Sequence, residues 1–134
     1  MTERPPLGSV ALVSALALAE EVLLMRMLSI VQWHHFAAMV ISLALLGYGA
    51  SGTLLSLLRE PLTRRFPEAF TANLLLFALA SAVSFPLAQR VPFHPESLFW
   101  GTGSYGDLLG LYLLLALPFF FAANAVGLAL VRFG

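Results

Sequence analysis

Four long apolar stretches alternate with short polar ones along the chain. They cover about residues 8–30, 35–58, 69–88 and 108–131. A helix needs about 20 apolar residues to cross the hydrocarbon core of a bilayer, and each stretch reaches that length. Backbone N–H and C=O groups in lipid must be paired within one segment, so the pattern predicts four transmembrane helices.

The connecting segments predict one all-α bundle in a single domain, residues 1–134. Residues 31–34 leave room only for a tight turn between the first two helices. Residues 59–68 are expected to form a short polar loop with a proline near either end. Residues 90–107 mix prolines and glycines without a continuous apolar period, so we expect an irregular segment at the membrane interface there.

The arginines predict how the bundle is oriented. Arg59, Arg64 and Arg65 lie together between the second and third helices, whereas the next loop holds only Arg90. Basic residues are enriched in cytoplasmic loops, so the three-arginine loop is expected to be cytoplasmic. Both termini then also lie in the cytoplasm.

Composition supports a membrane protein and excludes several functions. Apolar residues make up 60% of the 134 positions and charged residues 10%, whereas a soluble domain carries about a quarter charged residues. The formal net charge is zero, so no basic surface is predicted for nucleic acid. The chain has no cysteine, which excludes disulfides, thiolate zinc sites and iron–sulfur clusters.

Three charged residues, Glu20, Glu21 and Arg26, lie inside the first apolar stretch. A charge near the bilayer centre costs about 2.5–3.5 kcal/mol on insertion scales. Arg26 is rotated about 120° from Glu20 and about 140° from Glu21 on a helix, so neither pair shares a face. We therefore expect a hydrogen-bonding or charged partner outside this helix for at least one of them. The group could form a proton or ion path, or a buried polar contact between helices.

Two adjacent histidines, His34 and His35, begin the second helix after Trp33. Tryptophan and histidine are common at membrane interfaces, where the ring is buried and its nitrogens stay hydrated. The imidazoles are also candidates for binding a pigment, a haem or a quinone. The sequence requires no cofactor, and a bound lipid is a further alternative.

The segment GYGASG, residues 47–52, matches the G-x-G-x-x-G pattern of nucleotide-binding loops. That pattern needs a preceding strand, and here it lies within an apolar helix. Gly47 and Ser51, and likewise Gly49 and Thr53, instead form small-xxx-small pairs that allow close helix packing. Together with Gly52, these residues predict a packing surface.

Asn124 is the one strongly polar residue in the second half of the fourth helix, where we expect it to donate a hydrogen bond to a neighbouring helix. Serines, histidines and carboxylates form no hydrolase or kinase motif, and the histidines lack metal-ligand spacing. We therefore predict that the chain is not an enzyme.

Four stretches resemble the N-terminal membrane region of bacterial spermidine synthase-like membrane proteins. They are EVLLMRMLSI with WHHFAAMVISLALLGYGASG at 21–30 and 33–52, and LLLALPFFFA with GLAL at 113–122 and 127–130. The resemblance implies a bacterial inner membrane, cytoplasmic or intracytoplasmic. In that family a soluble aminopropyltransferase-like domain follows the helices. This sequence carries no such domain, so no catalytic residue transfers.

These observations predict a non-catalytic subunit of a larger membrane complex, such as an electron-transfer or photosynthetic one. Its partners would be other integral membrane subunits and lipid. One alternative is a transport element for protons, ions or small solutes that uses Glu20, Glu21 and Arg26. Another is the membrane half of a split aminopropyltransferase-like protein.

Overall fold

The computed structural model describes residues 4–31, 35–90 and 105–134. In these ranges the chain is almost entirely helical and contains no strand. The helices are α1 (Leu7–Val31), α2 (His35–Leu57), α3 (Arg59–Arg64), α4 (Phe66–Arg90) and α5 (Tyr105–Phe133). All except α3 are long and apolar enough to cross a membrane. The predicted all-α bundle with four membrane-crossing helices is therefore confirmed, and its architecture is that of a multi-pass membrane protein.

The prediction of a loop over residues 59–68 is wrong, because α3 occupies most of that segment. Pro61 lies in the first turn of α3, and Pro67 is the second residue of α4. Backbone N–H groups in the first turn of a helix have no partner within that helix, so proline fits there without loss of a hydrogen bond. The prolines therefore mark helix starts in this segment.

The irregular segment predicted for residues 90–107 is shorter at both ends. Arg90 belongs to the last turn of α4, where its positive charge is favourable at the negative end of the helix dipole. Residues 105–107 belong to α5. The rest of the predicted segment, residues 91–104, lies outside the described residues.

Helix α5 is the centre of the bundle. Half of its apolar span is buried, compared with 17–28% in α1, α2 and α4. It packs most extensively against α2 and α4. Three buried clusters follow one another along it, centred on Phe119, Ala122 and Leu128. Most apolar surface of the other three long helices therefore faces outward, as lipid requires.

Helices α1 and α4 run in the same direction and approach each other less closely than either approaches α5. Val10, near the start of α1, packs on the cluster of Phe66 and Phe70 at the start of α4. Farther along, Val13 and Ala17 of α1 share a buried cluster with Phe77 of α4. Beyond these contacts the two helices meet through polar side chains.

Candidate functional site

Glu20 of α1 is joined to α4 by two serine hydroxyls. Ser81 Oγ donates a hydrogen bond to Glu20 Oε2 at 2.7 Å, and Ser84 Oγ lies 3.5 Å from Oε1. Glu20 is only 8% exposed and Ser84 is fully buried. At least one of the three charged residues of α1 thus has the partner on another helix that the sequence predicts. We call Glu20, Ser81 and Ser84 the carboxyl–serine cluster.

The spacing of the two serines places them beside one carboxyl group. Residues three apart in a helix lie on the same face, so both hydroxyls can reach Glu20. Ser84 Oγ also lies 3.4 Å from the backbone carbonyl of Ser81, a contact within its own helix. A carboxyl group has about four lone-pair positions or a proton to donate. Two serine contacts therefore leave Glu20 with unused hydrogen-bonding capacity.

Glu21 and Arg26 point away from this cluster. Glu21 is half-buried and lies within electrostatic range of the Tyr48 phenol on α2. The Arg26 side chain is exposed on the outside of the bundle, so it takes no part in a buried polar contact between helices of this chain. Glu20, Glu21 and Arg26 differ in burial because they point in different directions around α1, and α1 meets other helices on only part of its surface. The three charged side chains do not converge on one site among the described residues.

An apolar groove opens between α1 and α4 beside the carboxyl–serine cluster. Its volume is about 480 Å³, and it extends along α1 from Ser9 to Leu23 and along α4 from Leu74 to Phe85. Glu20 and Ser81 both line it, and most of the other lining side chains are apolar: Leu12, Val13, Leu16, Ala19, Phe77 and Ala78. Ligand sites in proteins are commonly apolar clefts of about 300–1,000 Å³ with a few placed polar groups. We call this feature the α1/α4 groove.

A second polar contact joins α2 and α5. Ser51 Oγ lies 2.7 Å from Asn124 Oδ1, and both residues are buried. The expected interhelical hydrogen bond of Asn124 is present, but its direction is reversed, because the Ser51 hydroxyl donates and the amide oxygen accepts. Such bonds average about 0.6 kcal/mol in membranes, so this one contributes modestly to helix association.

Gly47 allows α2 and α5 to approach at backbone distance. A Cβ atom at Gly47 would lie 2.9 Å from Ala116 O, Phe119 Cβ and Phe120 N. By contrast, a Cβ atom at Gly49 or Gly52 would meet nothing within 4 Å, and both glycines are exposed.

The prediction of a packing surface is therefore confirmed for Gly47 and Ser51, which meet α5. For Gly49 and Gly52 it stays a prediction, because no helix in the described part of the chain covers them. The two exposed glycines are rotated by about 200° and 140° from Gly47 on the helix, so they face away from α5.

The candidate cofactor-binding histidines cannot be placed as a site. His34 lies outside the described residues. His35 is the first residue of α2, and its side chain is also outside the described part of the chain. The proposed pigment, haem or quinone contact at these positions stays a prediction. In residues 4–31, 35–90 and 105–134, no group of three or more histidine, aspartate or glutamate side chains could hold a metal ion.

Ser81 and Ser84 are the site residues that sequence reasoning missed. The available signal was two serines three positions apart in an otherwise apolar helix, at about the same membrane depth as Glu20.

Comparisons with protein-family models, with curated proteins and with solved structures found no match to this chain. The site must therefore be interpreted from its own chemistry.

Proposed function

We propose that this chain is a non-catalytic accessory subunit that packs laterally into a larger complex of the bacterial inner membrane. Such a complex would be energy-converting, of the electron-transfer or photosynthetic kind. The observation that carries the proposal is the outward-facing charge of Arg26 within an apolar membrane span. A guanidinium group costs about 2.5–3.5 kcal/mol at the bilayer centre. Arg26 is seven residues, about 10 Å, from the midpoint of α1, so it carries part of that cost unless its side chain finds an acceptor.

The position of Arg26 narrows the choice of acceptor. It lies five residues before the end of α1, or about 7.5 Å along the helix axis. A carboxylate on a neighbouring subunit at that depth would pair with it in surroundings of low dielectric constant, where charged hydrogen bonds are strong. A lipid phosphate reached by an extended side chain is the competing acceptor.

The exposed face of α2 supports the same proposal. Between Leu46 and Leu57 the exposed residues of α2 are all small: Gly49, Ala50, Gly52, Thr53 and Ser56. The Thr53 hydroxyl donates to Gly49 O within the helix at 3.1 Å. Because that hydroxyl is already satisfied, the face presents a smooth surface of small residues. Faces of this kind allow the backbone of another helix to approach closely.

The arginines around α3 and the resemblance to a known family support the membrane orientation and location in this proposal. The exposed Arg59, Arg64 and Arg65 on and beside α3 favour a cytoplasmic location for that segment, with both termini on the same side. The resemblance to spermidine synthase-like membrane regions supports a bacterial inner membrane. It also supports a second proposal, in which the chain is the membrane half of a split aminopropyltransferase-like protein.

Transport is the less supported alternative. A proton or ion path needs polar groups that follow one another across the membrane. Glu20 contacts α4, Glu21 lies near α2, and Arg26 faces outward, so the described residues offer three separate polar groups. Proton uptake by the purified chain in liposomes, abolished by Glu20→Gln, would favour transport over the subunit proposal.

Copurification tests the accessory-subunit proposal. The tagged chain would be purified from its native membranes in mild detergent, and its partners and absorbing cofactors identified. We expect wild type and Arg26→Lys to retain the same partner, because both carry a positive charge, and Arg26→Leu to lose it.

The controls separate the partner from lipid. Each variant must reach the membrane in equal amounts, as measured before solubilisation. A wild-type chain that purifies alone and without a cofactor contradicts the proposal. Full partner retention by Arg26→Leu shows that Arg26 does not hold the partner, which is the result expected if its side chain reaches a lipid phosphate instead.

A further inference from the structure

We propose that the α1/α4 groove binds one lipid-soluble molecule that has a single hydrocarbon chain and a hydroxylated aromatic ring, of the alkylphenol or quinol class. In this arrangement the hydrocarbon chain of the bound molecule lies along the apolar part of the groove, and its ring hydroxyl contacts Glu20. This inference goes beyond the accessory-subunit proposal and does not depend on it. It follows from the dimensions of the groove, the depth of Glu20 and the chemistry of the groove lining.

The length of the groove suits an extended hydrocarbon chain. From Ser9 to Leu23 the groove follows fourteen residues of α1, about 21 Å at 1.5 Å per residue. Its volume of about 480 Å³ lies within the range of small-molecule sites, about 300–1,000 Å³. A small molecule that fills this groove is therefore long and narrow.

The depth of Glu20 excludes an ordinary phospholipid head group. Glu20 is thirteen residues from Leu7 and eleven from Val31 in α1, about 20 Å and 17 Å along the axis. The hydrocarbon core is about 30 Å thick, so phospholipid head groups begin about 15 Å from the midplane. Glu20 is close to that midplane. A molecule that meets Glu20 must therefore carry its polar group at mid-membrane depth.

The unused hydrogen-bonding capacity of Glu20 selects the polar group. An acyl chain alone would fill the groove and leave that capacity without a partner, which is unfavourable in an apolar environment. A phenolic hydroxyl both donates and accepts, so it fits the carboxyl group in either protonation state. It is also neutral, and a neutral molecule enters from the lipid without the cost of carrying a charge to mid-membrane.

Phe85 favours an aromatic ring as the part of the bound molecule that lies beside Glu20. It is half-buried, lines the groove and lies one helical turn beyond Ser81 on α4. A ring held at Glu20 therefore lies within reach of the Phe85 ring. Aromatic pairs with centroids 4.5–7 Å apart contribute about 0.5–1.5 kcal/mol beyond burial alone. The apolar remainder of the groove, between Ser9 and Ala19, is left for the hydrocarbon chain.

A binding experiment on the full chain in phosphatidylcholine nanodiscs tests the inference. The probe is tritiated 4-dodecylphenol, and unlabelled 4-dodecylphenol, dodecane and dodecylamine are the competitors. We expect saturable binding with a stoichiometry of one, displaced at least tenfold more effectively by 4-dodecylphenol than by dodecane or dodecylamine. Empty nanodiscs measure partition of the probe into lipid.

Two variants and one matched control locate the site. Ala78→Leu fills the groove without touching the carboxyl–serine cluster, and we expect at least tenfold weaker binding. The matched control is Ala82→Leu, an exposed alanine one turn away on α4 that does not line the groove; its affinity should stay within twofold of wild type. Glu20→Leu should abolish the preference for 4-dodecylphenol over dodecane.

Each contrary result overturns a defined part of the inference. Absence of saturable binding to folded wild type, shown by a helical circular dichroism spectrum and a single gel-filtration peak, overturns it entirely. If dodecane displaces the labelled probe as effectively as 4-dodecylphenol does, Glu20 does not recognise a hydroxyl group. If dodecylamine displaces it more effectively, the site prefers a cation to a phenol. Unchanged binding by Ala78→Leu removes the site from the groove. Because the isolated chain is measured, failure here leaves the accessory-subunit proposal to its own copurification test.

Discussion

The close approach of α2 and α5 at Gly47 predicts that a single added methyl group destabilises the bundle. In Gly47→Ala the new Cβ would meet Ala116 O, Phe119 Cβ and Phe120 N, each at 2.9 Å. Two of these are backbone atoms and the third is attached directly to the backbone, so no side-chain rotation relieves the contact. Insertion of a methylene into a packed core typically costs about 1–3 kcal/mol.

A second glycine in the same helix isolates this packing effect. Alanine is favoured over glycine in a helix by about 1 kcal/mol, which partly offsets the clash. Gly49→Ala gains the same preference and meets nothing within 4 Å. The helix preference is the same in both variants, so it cancels when their unfolding free energies are subtracted. We expect the remaining difference to be about 1–3 kcal/mol.

The assay is reversible unfolding in mixed micelles of mild detergent and dodecyl sulfate, followed by circular dichroism. Gly127→Ala is a further control, because the atom that its Cβ would meet is Leu55 Cδ1, the end of a flexible side chain on α2. We expect that variant to be less destabilised than Gly47→Ala. Equal stabilities of Gly47→Ala and Gly49→Ala would refute the inferred backbone contact between α2 and α5.

Three further predictions concern polar contacts and orientation. In a double-mutant cycle, Ser51→Ala and Asn124→Leu should show a coupling of about 0.6 kcal/mol, with about 1.7 kcal/mol as the upper limit, and additive effects would contradict their hydrogen bond. Ser81→Ala combined with Glu20→Leu should be less destabilising than the sum of the two single changes, because the Ser81 hydroxyl has no carboxyl group to donate to once Glu20 is replaced. The same unfolding assay measures this, with Ser42→Ala on the exposed face of α2 as control. Cysteines introduced at Glu60 and Ser97 test orientation: a membrane-impermeant maleimide on intact cells should label Ser97→Cys alone, and labelling of Glu60→Cys alone would reverse the assigned topology.

Sequence alone could predict the membrane-crossing helices because their signal is local. A run of about 20 apolar residues must form a helix in lipid wherever it lies in the bundle. Helix α3 escaped that reasoning because Pro61 was interpreted as a breaker, whereas in a first turn it favours a helix. The error concerned the position of a proline within a helix, which local composition does not specify.

The partners of polar residues could be predicted only in kind. The charge of Glu20 indicated a partner on another helix, but several serines lie in the apolar stretches. Which of them meets Glu20 depends on the rotation and order of the helices around α5. The same rotation separates Gly47 from Gly49, which look alike in sequence and differ completely in surroundings. Helix rotation is a property of the assembled bundle, so the sequence pattern did not determine it.

The contrast between the two helix pairs explains why the groove lies where it does. Helices α2 and α5 meet at Gly47 with backbone atoms in contact, so no space is left between them there. Beside α1, α4 instead places Ser81 and Ser84, whose hydroxyls reach Glu20 across the gap. Interhelical hydrogen bonds in membranes contribute only about 1 kcal/mol or less each. Helix α1 should therefore separate from α4 at lower free energy than α2 separates from α5, and a lipid-soluble molecule can enter between them while the core around α5 stays closed.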